Sequence, residues 1–73
     1  MTATHNVALD LQNACDALMR QVESGDTVSV KLDRHPEGGM RATYEDAGEL
    51  VYVVRPLLDD AIIELARELG FDI

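Results

Sequence analysis

The spacing of apolar residues changes twice along this chain, and that change constrains the fold more than any other feature. Between residues 4 and 24 apolar side chains recur every three or four positions, which is the period of an amphipathic helix. Between residues 27 and 55 they largely alternate with polar ones, as in β-strands. The helical period returns from residue 57 to 70. We therefore predict an α+β domain in which two helices flank a group of strands.

Turn residues divide the middle segment into three predicted strands. The stretches "RHPEGG" and "AGE" interrupt the alternation and leave strands over about 27–33, 40–46 and 50–55. Such short connections join neighbouring strands as an antiparallel meander. A sheet this small buries enough apolar surface only if both helices cover one face. The expected architecture is αβββα, with residues 1–73 forming a single domain.

The two helical stripes define the predicted core. In the first helix the stripe contains Val7, Leu11, Ala14, Cys15, Leu18 and Val22. In the second it contains Leu58, Ala61, Ile62, Leu65, Ala66 and Leu69. Leu9 and Ile63 lie off these stripes and are predicted to be exposed, as scattered surface apolar residues often are. Gly25 is expected to end the first helix in the left-handed conformation.

Acidic residues outnumber basic ones by a wide margin. Fourteen Asp and Glu against six Lys and Arg give a formal net charge of −8. A field of that sign repels nucleic acid and anionic membranes, so we expect the chain to bind neither directly. Asp60, Glu64 and Glu68 recur every fourth residue on the polar side of the second helix. They repeat about every 6 Å, on the scale of phosphates along one nucleic-acid strand.

These acids suggest a partner-binding surface. Its predicted members are Asp59, Asp60, Glu64, Glu68 and Asp72 near the C-terminus, with Glu45, Asp46 and Glu49 in the second hairpin. A compact acidic surface can occupy a basic groove that binds nucleic acid, using the same Arg and Lys contacts. The alternative is a solvated face that keeps a small protein monomeric. Acids in the first turn of a helix also complement its dipole.

The element order and the acidity together resemble a known class of proteins. A chain running from "LMRQVESGDTVSVKL" into "GELVYVV" and a final helix looks like phage-encoded anti-CRISPR proteins of the DNA-mimic kind. The resemblance implies a non-enzymatic, monomeric inhibitor without a cofactor, acting in the host cytoplasm. Its implied partner is a protein with a basic nucleic-acid-binding groove, such as a CRISPR–Cas effector subunit.

A second interpretation uses the open face of the sheet. If Val28, Val30 and Leu32 point towards the helices, Lys31, Arg41 and Arg55 point outward. If Leu50, Tyr52 and Val54 also point inward, Val51 and Val53 join that outer face, which then combines basic and apolar residues. That patch suits a structural or assembly module that binds a partner or a second copy. A solvated sheet face is the simpler alternative, since antiparallel sheets tolerate one wet side.

A third interpretation is a small ribonuclease-type toxin. His35 follows Arg34 in a loop, where the imidazole could act as general base while the guanidinium steadies a phosphate.

The sequence has no H-x-x-x-H, C-x-x-C or glycine-rich phosphate loop, so we expect neither metal nor nucleotide and predict no enzyme. Cys15 is expected to be a buried structural thiol. The lone cysteine and the absence of a signal-peptide pattern or long apolar run favour the cytoplasm.

Overall fold

The computed structural model describes residues 7–71, and its elements follow the predicted order. The helices are α1, Val7–Ser24, and α2, Leu58–Glu68; the strands are β1, Val28–Arg34, β2, Met40–Asp46, and β3, Glu49–Arg55. The strands form one antiparallel sheet in the order β1-β2-β3. This confirms the αβββα architecture. Residues 4–6 of the predicted first helix lie outside the described residues, and α2 is shorter than predicted at both ends.

The core lies between the two helices and one face of the sheet. Helix α2 packs over β2 and β3, and α1 packs against α2 and β1. Nine buried side chains form the core: Ala14, Leu18, Ala42, Val53, Ala61, Ile62, Ile63, Leu65 and Ala66. The four alanines have no exposed surface, and such small side chains allow the helices and the sheet to approach closely. Among the described side chains, every member of the two predicted stripes except Val22 lies in this core or packs against it. The side chain of Val7 lies outside the described part.

The prediction that Ile63 is exposed is wrong, whereas the same prediction for Leu9 is confirmed. Ile63 is only 4% exposed, and Leu9 is 51% exposed. Helix α2 contacts the sheet on one side and α1 on another, so its buried arc is wider than a single stripe. Residue 63 falls within that wider arc.

The inward face of β3 is also opposite to the one assumed for the sheet-face patch. Val53 is 6% exposed within the core, and Val51 packs against the core. Leu50 and Tyr52 are 62% and 61% exposed. The run "LVYVV" is apolar at both phases of the alternation, so its periodicity does not determine which face is buried.

Gly25 does end α1, but not in the left-handed conformation. Gly25 is not among the described residues with a positive φ. Its N–H donates a hydrogen bond to the Gln21 carbonyl at 3.0 Å. A Cβ atom at this position would lie 2.7 Å from a methyl carbon of Val28 and 3.1 Å from the Gln21 oxygen. Glycine is needed here because the chain passes close to the start of β1.

The left-handed glycine belongs to the end of α2. Gly70 has a φ of 84°, its N–H donates to the Arg67 carbonyl at 2.9 Å, and the Phe71 N–H donates to the Ala66 carbonyl at 3.0 Å. This pair of bonds is a Schellman motif. It closes the helix and directs Phe71 back towards the core, against which that ring packs.

Candidate functional site: the acidic surface and the open sheet face

Glu64, the middle acid of the predicted row on α2, is held by two arginines. An oxygen of its carboxylate accepts a hydrogen bond from Arg67 at 3.0 Å, and its other oxygen lies 3.8 Å from a guanidinium nitrogen of Arg55. Arg67 also lies 3.8 Å from the Asp10 carboxylate of α1. The four side chains form a line of alternating charge from β3 across α2 to α1. Their formal charges cancel, so the middle of the predicted row is electrically neutral.

The acids on either side of that line remain available. Asp59, Asp60 and Glu68 are exposed, and none forms a salt bridge with a residue in the described range 7–71. Glu68 follows Asp60 by eight positions, a rise of about 12 Å along the helix. The acidic surface of α2 therefore consists of two separated ends rather than a continuous row of three carboxylates.

The hairpin acids lie together at one end of the sheet. Asp46 and Glu49 are cross-strand partners beside the β2–β3 turn, and Glu45 precedes them on β2. The Thr27 hydroxyl donates to the Asp46 carboxylate at 2.7 Å. Glu45 and Glu49 are exposed and make no salt bridge within the described residues. Asp72, the remaining predicted member of the acidic surface, lies outside the described residues.

The opposite end of the sheet is basic. Arg34 pairs with Met40, which in turn pairs with Arg55, so two arginines occupy the outer strands of the last row. The row at the other end carries Asp46 and Glu49. One end of the sheet is thus positively charged and the other negatively charged.

The open face of the sheet has a different composition from the predicted patch. Lys31 and Arg41 do lie on it, together with Asp33, Glu45 and the exposed side chains of Leu50 and Tyr52. Val51, Val53 and Arg55 belong to the helix side: the valines contact the core, and Arg55 approaches Glu64 of α2. Because β3 presents the opposite face from the predicted one, Leu50 and Tyr52 supply the apolar part of the open face.

Arg41 on the open face is paired. Its Nε and one terminal nitrogen donate to the two carboxylate oxygens of Asp33, at 2.9 and 2.5 Å. This bidentate contact lowers the pKa of Asp33, chiefly through the hydrogen bonds from Arg41. Lys31 makes no salt bridge with any residue in the described range, so it is the available cation of this face.

His35 contributes to the structure of the β1–β2 loop. Its Nδ1 accepts a hydrogen bond from the Glu37 N–H at 3.2 Å, and its backbone N–H and carbonyl bond to Gly39 and Gly38 at 3.0 Å each. The Nδ1 atom is therefore an acceptor in the loop, and Nε2 is the nitrogen left for other contacts.

Cys15 is partly rather than fully buried. The thiol packs against the core near Leu18, Val30 and Ile62. Burial raises the pKa of Cys15, and the carboxylates of Asp16 and Asp59 raise it further. A raised pKa keeps the thiol protonated and unreactive at neutral pH.

Two further features are absent from residues 7–71. No group of three or more His, Cys, Asp or Glu side chains is arranged to hold a metal ion. Neither described helix is both long and apolar enough to cross a bilayer.

Sequence reasoning missed two features of these surfaces. The bond between Glu64 and Arg67 follows from their three-residue spacing, but the approach of Arg55 depends on how β3 turns into α2. The predicted face of Leu50 and Tyr52 is wrong, and the charged residues at the ends of β3, Glu49 and Arg55, do not indicate which face is buried.

Comparison with protein-family models, with curated proteins and with solved structures finds no match to this chain.

Proposed function

We propose that this chain is a non-enzymatic inhibitor that binds a nucleic-acid-handling protein through an acidic, DNA-mimicking surface. One observation carries the proposal. Five exposed carboxylates form no salt bridge within the described residues: Glu45, Glu49, Asp59, Asp60 and Glu68. Because these groups have no arginine or lysine partner in the described chain, they are free to accept bonds from cations on another protein.

The chemistry of such a complex follows from the groove it would occupy. Arginine and lysine side chains that grip phosphates can make the same charge-assisted hydrogen bonds to carboxylates. Counterions released on both sides make the contact sensitive to salt. The inhibitor would block nucleic acid by occupying its site, without any chemical step and without a cofactor.

The ion pairs of Glu64 leave fewer acids on α2 for the proposed contact. Glu64 is removed from the set of contact residues because Arg55 and Arg67 already neutralise it. The two ends of α2, at Asp60 and Glu68, become the principal contacts. The hairpin acids beside Glu49 form a second group whose use depends on the extent of the partner.

Paired charge variants test this proposal. The chain with Asp60→Asn and Glu68→Gln should lose its partner in affinity capture from nuclease-treated bacterial lysate. The matched control is Asp16→Asn with Glu23→Gln, which removes the same charge from exposed positions of α1. A captured complex should also be released by added duplex DNA, because both ligands compete for one groove. Equal capture by the two double variants would contradict the proposal, and so would a complex that DNA does not displace.

The partner class is taken from the resemblance to anti-CRISPR proteins. A CRISPR–Cas effector subunit that binds target DNA in the host cytoplasm has the required basic groove. Purified effector complexes incubated with the chain should lose target-DNA binding in a dose-dependent manner. The Asp60→Asn, Glu68→Gln chain should restore that binding at the same concentration.

The open sheet face supports a second candidate function, a module that binds a partner protein. The observation in its favour is that Leu50 and Tyr52 are more than 60% exposed on the same face as Lys31, which forms no salt bridge within residues 7–71. Apolar and aromatic side chains of this kind are enriched at interfaces. Loss of capture by a Lys31→Glu chain, with retention by the acidic double variant, would favour this candidate over the inhibitor.

A further inference from the structure

The outer edge of β3 has no neighbouring strand among the described residues. β3 is the last strand of the sheet and pairs only with β2. The two-residue turn at Ala47 and Gly48 makes Asp46 and Glu49 a hydrogen-bonded pair, and such pairs alternate along the ladder. Backbone groups of Leu50, Tyr52 and Val54 therefore point away from β2.

The carbonyl of Val54 supports this assignment. It accepts a hydrogen bond at 2.8 Å from the guanidinium of Arg55, a side chain that follows it in the same strand. A carbonyl used in the β2–β3 ladder would not normally need such a partner. This edge therefore offers the backbone donors and acceptors of Leu50 and Tyr52 and the N–H of Val54 to another strand. The Val54 carbonyl joins them when the Arg55 guanidinium moves away.

The centre of β3, from Leu50 to Val54, lacks the features that usually protect an edge strand, since its only charged residues lie at its two ends. The register with β2 runs without a bulge from Glu49 to Arg55, and the strand contains neither lysine nor proline. Leu50 and Tyr52 leave large apolar surfaces exposed next to the edge. The β1 edge differs, because Lys31 lies at its centre.

The residue order of β3 is complementary to itself when read backwards. In "ELVYVVR", an antiparallel second copy centred on Tyr52 places Glu49 opposite Arg55, Leu50 opposite Val54, and Val51 opposite Val53. Opposite charges then meet at both ends, where Arg55 exchanges its 3.8 Å contact with Glu64 for Glu49 of the second copy, while Arg67 keeps its hydrogen bond to Glu64. Apolar side chains face apolar ones on both faces of the sheet. Moving the centre by one residue in either direction removes both ion pairs.

We propose that β3 pairs with β3 of a second copy around a twofold axis at Tyr52. The two sheets join into one continuous sheet, with the helices of both copies on the same side. This inference goes beyond the proposed function. It uses Glu49 of the acidic surface but neither Asp60 nor Glu68, the principal contacts proposed above, so the two proposals are tested by different variants. The contact is one seven-residue strand wide, so the dimer belongs to the small, weak class of interfaces.

Two charge reversals test the pairing. Glu49→Arg places two arginines opposite each other at each end of the paired strands, and Arg55→Glu places two glutamates there. We expect each variant alone to weaken self-association at least about tenfold in analytical ultracentrifugation. An equimolar mixture restores opposite charges at both ends, so its association should return to within about threefold of the native chain. Glu37→Arg, which changes the same charge in an exposed loop, is the matched control and should retain dimerisation.

A cross-link locates the contact and covers the case in which Arg55→Glu fails to fold. Opposed residues of an antiparallel hydrogen-bonded pair have Cα atoms about 5.5 Å apart, which a disulfide can span. In a Cys15→Ala background, Tyr52→Cys should form a covalent dimer under mild oxidation, and Thr43→Cys on the central strand should not. Efficient cross-linking at both positions would indicate face-to-face stacking and overturn the edge pairing. So would a native chain that remains monomeric at about 1 mM.

Discussion

A single residue in the β2–β3 turn has a backbone conformation that its side chain does not favour. Ala47 has a φ of 53° and Gly48 a φ of 92°, which are the signs required for the primed turns that join twisted strands. Glycine adopts a positive φ freely and asparagine tolerates it, but alanine does not. Ala47 is exposed, so its side chain contributes little to packing.

Replacing Ala47 by asparagine should therefore stabilise the protein. We expect a gain of about 1 kcal/mol, which raises the midpoint of thermal unfolding by about 4–8 °C in a domain of this size. Ala47→Val should lower the midpoint, since a β-branched side chain is least compatible with positive φ. Thermal circular dichroism of the two variants measures both effects. An unchanged or lowered midpoint in Ala47→Asn would show that the turn is not strained.

The Asp33–Arg41 contact should make stability depend on pH in a defined direction. Arg41 lowers the folded-state pKa of Asp33, so the contribution of this carboxylate is present above the ordinary aspartate pKa of about 4. It is lost as the pH falls through the lower folded-state pKa. The difference in urea midpoint between the native chain and Asp33→Asn should be largest near neutral pH and shrink below about pH 4. Glu37→Gln removes one exposed loop carboxylate and gives the baseline; a constant difference for Asp33→Asn at every pH would contradict this role.

At the scale of the elements, α2 determines how much of the chain is core. Five of the nine buried core residues lie on it, and Ile63 is among them despite lying off the predicted stripe. Truncation of a buried isoleucine to alanine typically costs about 2–5 kcal/mol, whereas an exposed leucine contributes little.

Ile63→Ala should accordingly destabilise the fold far more than Leu9→Ala. In a small domain of this kind the first change is expected to remove much of the stability, and the second to alter it by less than about 1 kcal/mol. Urea unfolding followed by circular dichroism compares them directly. Similar losses for the two variants would mean that Ile63 is not part of the core.

The sequence predicted the elements better than it predicted their faces. The order of the elements, the strand boundaries to within one residue and most of both helical stripes followed from periodicity, because local spacing determines which residues share a side. The phase of β3 did not, since both faces of "LVYVV" carry large apolar or aromatic side chains and only packing against α2 determines which face is buried. The neutralisation of Glu64 by Arg55 also depends on contacts across different elements. Periodicity therefore predicted the exposed acids of α2 and the hairpin, but it placed three of the five sheet-face residues, Val51, Val53 and Arg55, on the wrong side and missed the pairing of Glu64 with Arg55.

At the scale of the whole molecule, net charge and its arrangement have different consequences. The net charge of −8 acts at long range and opposes the approach of any second acidic molecule, including another copy of this chain. The opposite charges at the two ends of the sheet act at short range. When β3 pairs antiparallel with β3 of a second copy, the acidic end of each strand meets the basic end of the other. The acidic surface of α2, by contrast, favours a basic partner at all distances.

Ionic strength should therefore separate the two proposed interactions. The Debye length, beyond which charges are screened from one another, is about 30 Å at 0.01 M salt but only about 8 Å at 0.15 M. Raising salt between these values should strengthen self-association, since it removes the long-range repulsion while the backbone hydrogen bonds and apolar contacts of β3 remain. The complex with a basic groove should weaken over the same range, as contacts to phosphates do.

Sedimentation of the native chain and titration of the partner, each at both salt concentrations, measure how the two affinities change with salt. Self-association that weakens with salt would mean that charge pairs hold the dimer, whereas a partner complex insensitive to salt would exclude the acidic surface as its contact.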